Sequence, residues 1–100
     1  MREIRDIVED IREELDGAKH YAELAVKMKG SAAANIYADM ARAELGHVDK
    51  LHGLAVQLIN EQRAKGVTPP AAMQAVWDWE HDRMIDRTAH IHTLLNMVNK

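Results

Sequence analysis

One apolar rhythm runs through the whole chain and breaks at only two places. Ile4, Ile7, Ile11, Glu14, Ala18, Tyr21, Ala25 and Met28 follow in steps of three and four, as do Ala33, Tyr37, Met40, Glu44, His47, Leu51, Leu54 and Leu58. Met73, Trp77, Glu80, Met84, Arg87, Ile91, Leu94 and Val98 continue it. Such spacing lays one stripe along an α-helix, whereas a strand would alternate in steps of two. The first break is Gly30-Ser31, a glycine suited to end one helix and a serine suited to cap the next. The second is Lys65-Gly66 followed by Val67-Thr68-Pro69-Pro70, with Thr68 as N-cap and Pro69 at the first helical position. The pattern predicts an all-α fold, a single domain of three long helices over about residues 3–29, 32–65 and 69–99. Helices of about 27 to 34 residues reach about 40 to 50 Å, and the short connections make neighbours antiparallel.

Three such helices in 100 residues leave apolar surface without an intramolecular partner, so a homodimer or higher even oligomer is expected. The 47% apolar and 29% charged content is that of a folded chain rather than a disordered one. A net charge of -3 gives no basic footprint for nucleic acid or an anionic membrane. Without cysteine, disulfides, thiolate metal sites and cysteine catalysis are excluded, and any metal must be held by oxygen and nitrogen. The opening MREIRDIVEDIREEL lacks an apolar signal core, and no stretch approaches about 18 uncharged apolar residues. A cytoplasmic protein is expected.

Polar side chains placed inside the stripes need a reason to be there. Glu14 lies 16 residues before Gly30 and Glu44 lies 14 after it, so in a hairpin their heights differ by about 3 Å. His47 is one turn from Glu44 on the same face and joins them. Tyr21 and Tyr37, 9 before and 7 after Gly30, form a second matched layer towards the turn. Two carboxylates and an imidazole converging among apolar side chains are costly to bury unless paired, protonated or bound to a cation. Hard oxygens with one nitrogen suit iron or manganese, with zinc an alternative, and suit calcium poorly.

With eight Glu and six His in the chain, an E-x-x-H arises by chance roughly half a time, so position in the stripe carries the reading. A buried Glu–His hydrogen-bond network without metal is the competing explanation. Asp49 and His52 repeat the acid-x-x-His spacing off the stripe and read as solvated. Glu13 could replace Glu14 only in a helix rotated by about 100°.

The segment EELDGAKHYAELAVKMKGSAAANIYADMARAELGHVDKL, with Glu14, Tyr21 and Glu44-x-x-His47, resembles the first half of the ferritin-like and rubrerythrin-like di-iron carboxylate bundles. The resemblance implies Glu14 as a terminal ligand, Glu44 as a bridge between two irons and His47 completing one iron. It also implies oxidation of ferrous iron with dioxygen or peroxide, in the service of storage, peroxide removal or oxygenation.

Four-helix members carry a second Glu and a second E-x-x-H, whereas this chain has no other E-x-x-H and one further helix. Trp79-Glu80-His81 resembles the third-helix region of rubrerythrins. Glu80 is on the stripe, but its height differs from that of Glu44 and His47 by roughly 10 to 15 Å. Asp86 and His90 have nearly the right height off the stripe, and all three stay open as further donors. A two-fold dimer supplies four carboxylates and two imidazoles, enough for two irons. That arrangement resembles the short encapsulated ferritins, whose centre forms between subunits. A nanocompartment shell stays open as a partner, although their shell-targeting extension has no evident counterpart in the closing TLLNMVNK.

The competing reading is a structural or partner-binding helical module without chemistry. Six Met and two Trp give adaptable apolar surface, and Trp77 and Trp79 sit on adjacent faces, so one should remain uncovered.

Overall fold

The computed structural model describes residues 2–68 and 70–98. The chain forms α1 (Arg2–Lys27), α2 (Ala32–Ala64) and α3 (Ala71–Val98), with no strand among the described residues. The expected all-α, three-helix architecture is therefore observed. Pro69, expected as the first residue of the third helix, and Asn99, expected as its last, lie outside the described residues; the helix begins at Ala71, so Thr68, expected as its N-cap, stands too far before it to cap it. The bundle is elongated, 54 × 18 × 17 Å, because the 33 residues of α2 alone span about 50 Å.

Both turns rest on glycine. Gly30 at φ 91° and Gly66 at φ 79° occupy the left-handed region, where a side chain would clash. After α2 the Val67 amide donates to the Gln62 carbonyl at 2.9 Å and the Gly66 amide to Arg63 at 3.0 Å, satisfying carbonyls the helix leaves open. Ser31 stands at the N-cap position of α2 but makes no capping bond. Its hydroxyl donates to the Met28 carbonyl at 2.7 Å, so it closes α1 instead of capping α2.

Between α1 and α2 runs an alanine seam. Ala18, Ala22 and Ala25 face Ala34, Ala38 and Ala41, all at 2% exposure or less. Small side chains let two helix axes approach closely. This shifts the buried stripe of α2 to Ala34, Ala38, Ala41, Leu45, Val48, Ala55 and Ile59, each one residue beyond its expected counterpart. Met40, His47 and Leu54, expected inside, are exposed, while Tyr37, Glu44, Leu51 and Leu58 are half-buried. On α1, Leu15 and Ala22 take the centre, Glu14 and Tyr21 flank it, and Met28 is exposed. The cause is size: bulky residues are displaced to the edges of a seam that only alanine can fill.

α3 follows its expected stripe. Glu80, Ile91 and Val98 are buried, and Met73, Trp77, Met84, Arg87 and Leu94 half-buried. It is tied to α1 by ion pairs between Arg12 and Glu80 and between Arg87 and Asp16. Trp79 is the uncovered tryptophan, with the Arg83 guanidinium 4.7 Å above its ring. Among the described residues no helix is long and apolar enough to cross a membrane.

Candidate metal centre

Glu14 leaves α1 at one edge of the alanine seam, and Glu44 leaves α2 opposite it. The seam fixes the spacing of the helices and Gly30 fixes their register. His47 follows on the next turn of α2. One donor atom from each of Glu14, Glu44 and His47 lies within 4.8 Å of the other two. No other set of three acidic or histidine residues meets that condition among the described residues. His47 Nδ1 is 3.2 Å from Glu14 Oε2.

The side chain of His47 is 53% exposed and that of Glu14 28%, so the centre opens to solvent on one side. His47 is therefore not enclosed in the core as expected. It stands on the outer wall of the cluster because the buried stripe is one residue over. Tyr21 and Tyr37 stack towards the turn, ring centroids 6.1 Å apart and 18° between planes, the second layer that residue counting from Gly30 gives.

The two carboxylates have divided their acidity. Glu14 is held below the ordinary carboxylate value, first by its hydrogen bond with Glu44 and then by His47, against burial that raises it. Glu44 is pushed above that value by the same hydrogen bond, by burial and by the negative charge of Glu14. Two like charges this close oppose each other's ionisation, which is why the two values move apart. A cation seated between them would relieve that repulsion.

The donors fit such a cation: carboxylate oxygens with one imidazole nitrogen match iron, manganese or zinc. Gly17 makes room for the arrangement. A Cβ there would stand 3.1 Å from Glu44 Oε2, tighter than ordinary contact. Sequence reading missed Gly17, although a glycine inside a strong helical pattern, unfavourable by about 1 kcal/mol against alanine, signals a packing reason.

The other candidates go elsewhere. Glu80 is buried, and Arg12 holds its carboxylate, Nε donating to Oε2 at 3.0 Å and Nη2 to Oε1. That pairing lowers Glu80 from the ordinary carboxylate value, against burial that raises it. Asp86 and His90 are exposed and line a shallow pocket beside Lys19. Glu13 and Asp49 face solvent. His52, expected to be solvated, is instead half-buried in the α2–α3 seam, stacked on Trp77 at 6.2 Å and 5.1 Å from the His81 ring. Its place follows from the shift of the α2 stripe, which carries position 52 inward.

Comparison with protein-family models, with curated proteins and with solved structures finds no match.

Proposed function

We propose that this chain is a ferritin-like ferroxidase whose iron site is completed when two copies meet across the face that carries His47. The observation that carries the reading is the setting of the cluster. Ile36, Met40, His47 and Leu54 fall on one line along α2, since 18 residues make five turns. Along that line Ile36 is 61%, Met40 38% and Leu54 44% exposed. An apolar line of this kind marks a surface that self-association covers. Covering it with a second copy related by a two-fold axis buries His47 and brings two half-sites together.

Glu14, Glu44 and His47 of each copy would hold ferrous iron, the substrate, with manganese or zinc competing for the same donors. Bound there, two ferrous ions each give one electron, so that dioxygen with two protons becomes hydrogen peroxide, or peroxide with two protons becomes water. Glu14, lowered by its neighbours, would attract the cation. Glu44, raised by Glu14 and by burial, is the carboxyl whose protonation would compete with the cation, so uptake should weaken as pH falls. Tyr21 and Tyr37 stack on each other two turns nearer Gly30.

The test is ferrous oxidation followed by absorbance, with iron bound per chain and mass by light scattering. Glu44→Ala alters both halves of a shared site and is expected to abolish uptake and oxidation, while Asp49→Ala, on the solvent face, leaves both unchanged. A monomeric mass for the iron-loaded parent sinks the shared site. Equal iron uptake by parent and Glu44→Ala, or none by the parent under anaerobic ferrous loading, sinks the ferroxidase. The chain would then be a helical module whose exposed Val76, Trp79 and Ile85 on α3 serve a partner.

A further inference from the structure

A second polar site lies where the three helices meet, away from the carboxylate cluster. A cavity of about 50 Å³ is lined by Arg12, His52, Glu80, His81, Arg83 and Arg87 over an apolar floor. Three guanidiniums face a single carboxylate there, and Arg12 already occupies both oxygens of that carboxylate. Arg87 is paired with Asp16. Arg83 makes no ion pair at contact distance among the described residues; its guanidinium rests over the Trp79 ring and acts on Glu80 only through its field. His52 and His81, both half-buried, make ring contacts with each other and with Trp77, but no hydrogen bond among the described residues.

The cavity is therefore rich in donors, and its one carboxylate is already taken by Arg12. A metal ion is disfavoured, because two imidazoles would hold it against three positive charges with no carboxylate to spare. An anion gains from the guanidinium of Arg83, from an N–H of each imidazole and from the excess of guanidiniums over carboxylates in the lining. Volume limits its size. About 50 Å³ takes roughly three to five water-sized probes, which suits one small tetrahedral oxyanion and excludes a nucleotide or an acidic peptide.

We propose that the cavity between α1, α2 and α3 is a binding site for a free oxyanion of the phosphate or sulfate class, gripped by Arg83, His52 and His81. The site is independent of the iron reading and shares no residue with it.

The experiment is calorimetric titration of the metal-free full chain with sodium phosphate, at an ionic strength held constant with sodium chloride. Saturable binding with one phosphate per chain is expected. Arg83→Gln and His81→Phe, the second keeping an aromatic ring against Trp77, should each weaken it tenfold or more, with helicity by circular dichroism unchanged. Glu44→Ala should bind phosphate like the parent, which separates this site from the carboxylate cluster. Phosphate heats no larger than those of matched chloride show that the cavity holds water alone and overturn the proposal. Undiminished binding in both Arg83→Gln and His81→Phe overturns it equally.

Discussion

Between α1 and α2, six alanines at 2% exposure or less bring two backbones together, whereas α3 rests on α1 through larger side chains and two ion pairs. The α1–α2 hairpin buries its small residues almost completely. α3 leaves Val76, Trp79 and Ile85 at 58%, 55% and 50% exposure. The candidate metal centre lies on the edge of the first kind of seam, and the cavity proposed for an oxyanion lies in the second. A seam closed by alanine has no slack, so it can hold three donor atoms within 4.8 Å of one another. A seam of large and charged side chains leaves space between helices, and space is what a diffusible ligand needs.

If the hairpin is the rigid element, truncation there should cost far more than truncation on α3. Leu15 is among the largest fully buried side chains, and Leu15→Ala is expected to lower unfolding stability by about 2 to 5 kcal/mol through lost burial and the cavity left behind. Val76→Ala, at a position 58% exposed, should stay within about 0.5 kcal/mol. Urea denaturation of both variants measures the contrast. Equal losses would show that the exposed face of α3 is held as tightly as the buried centre.

The attachment of α3 can be probed through Glu80, the buried carboxylate among the described residues. Glu80→Gln keeps the shape and removes the charge that Arg12 meets, with an expected loss of about 1 to 3 kcal/mol at pH 7. The pH dependence has a definite sign. Arg12 lowers the Glu80 value in the folded chain, so its contribution is fully present above the ordinary carboxylate value and is lost as pH falls through the lowered one. The gap between parent and Glu80→Gln should therefore close on acidification. A gap that stays constant between pH 7 and strong acid would show that Arg12 and Glu80 hold α3 by shape and not by charge.

Much of this architecture is legible in the residues themselves. Glycines at 30 and 66 fix the turns, and counting outward from Gly30 at a fixed rise per residue pairs Glu14 with Glu44 and Tyr21 with Tyr37. The rotation of α2 was not legible. A stripe drawn through Tyr37, Met40, Leu51 and Leu54 follows the bulkiest apolar groups, whereas the helices meet along Ala34, Ala38 and Ala41, because close approach favours the smallest. One residue of rotation is about 100°, enough to carry His47 out to solvent and His52 into the α2–α3 seam. The Arg12–Glu80 pair was beyond reach for a different reason: it joins residues 68 apart, and no local pattern encodes which α3 carboxylate meets which α1 cation.

A small expected change in stability falls at the most informative position of the hairpin. Gly17→Ala replaces a poor helix residue with the best one and on propensity alone should raise stability, by at most about 1 kcal/mol. The added methyl would stand 3.1 Å from Glu44 Oε2, so the carboxylate, the far end of a flexible side chain, must move by a few tenths of an ångström. Moved, it no longer meets Glu14 and His47 in the same geometry, and iron affinity should fall by about tenfold, the effect seen when a residue supporting a metal ligand is disturbed. Thermal unfolding of the metal-free chain and iron binding at neutral pH read the two effects separately. A stability gain with weaker iron binding means that the glycine is kept for the seat of Glu44 and not for the helix. A gain with iron binding unchanged means that Glu44 reaches its ligand position without that space. A loss of stability would show that the Glu44 carboxylate is held too firmly to yield, which makes the hairpin edge stiffer than its half-exposed position suggests.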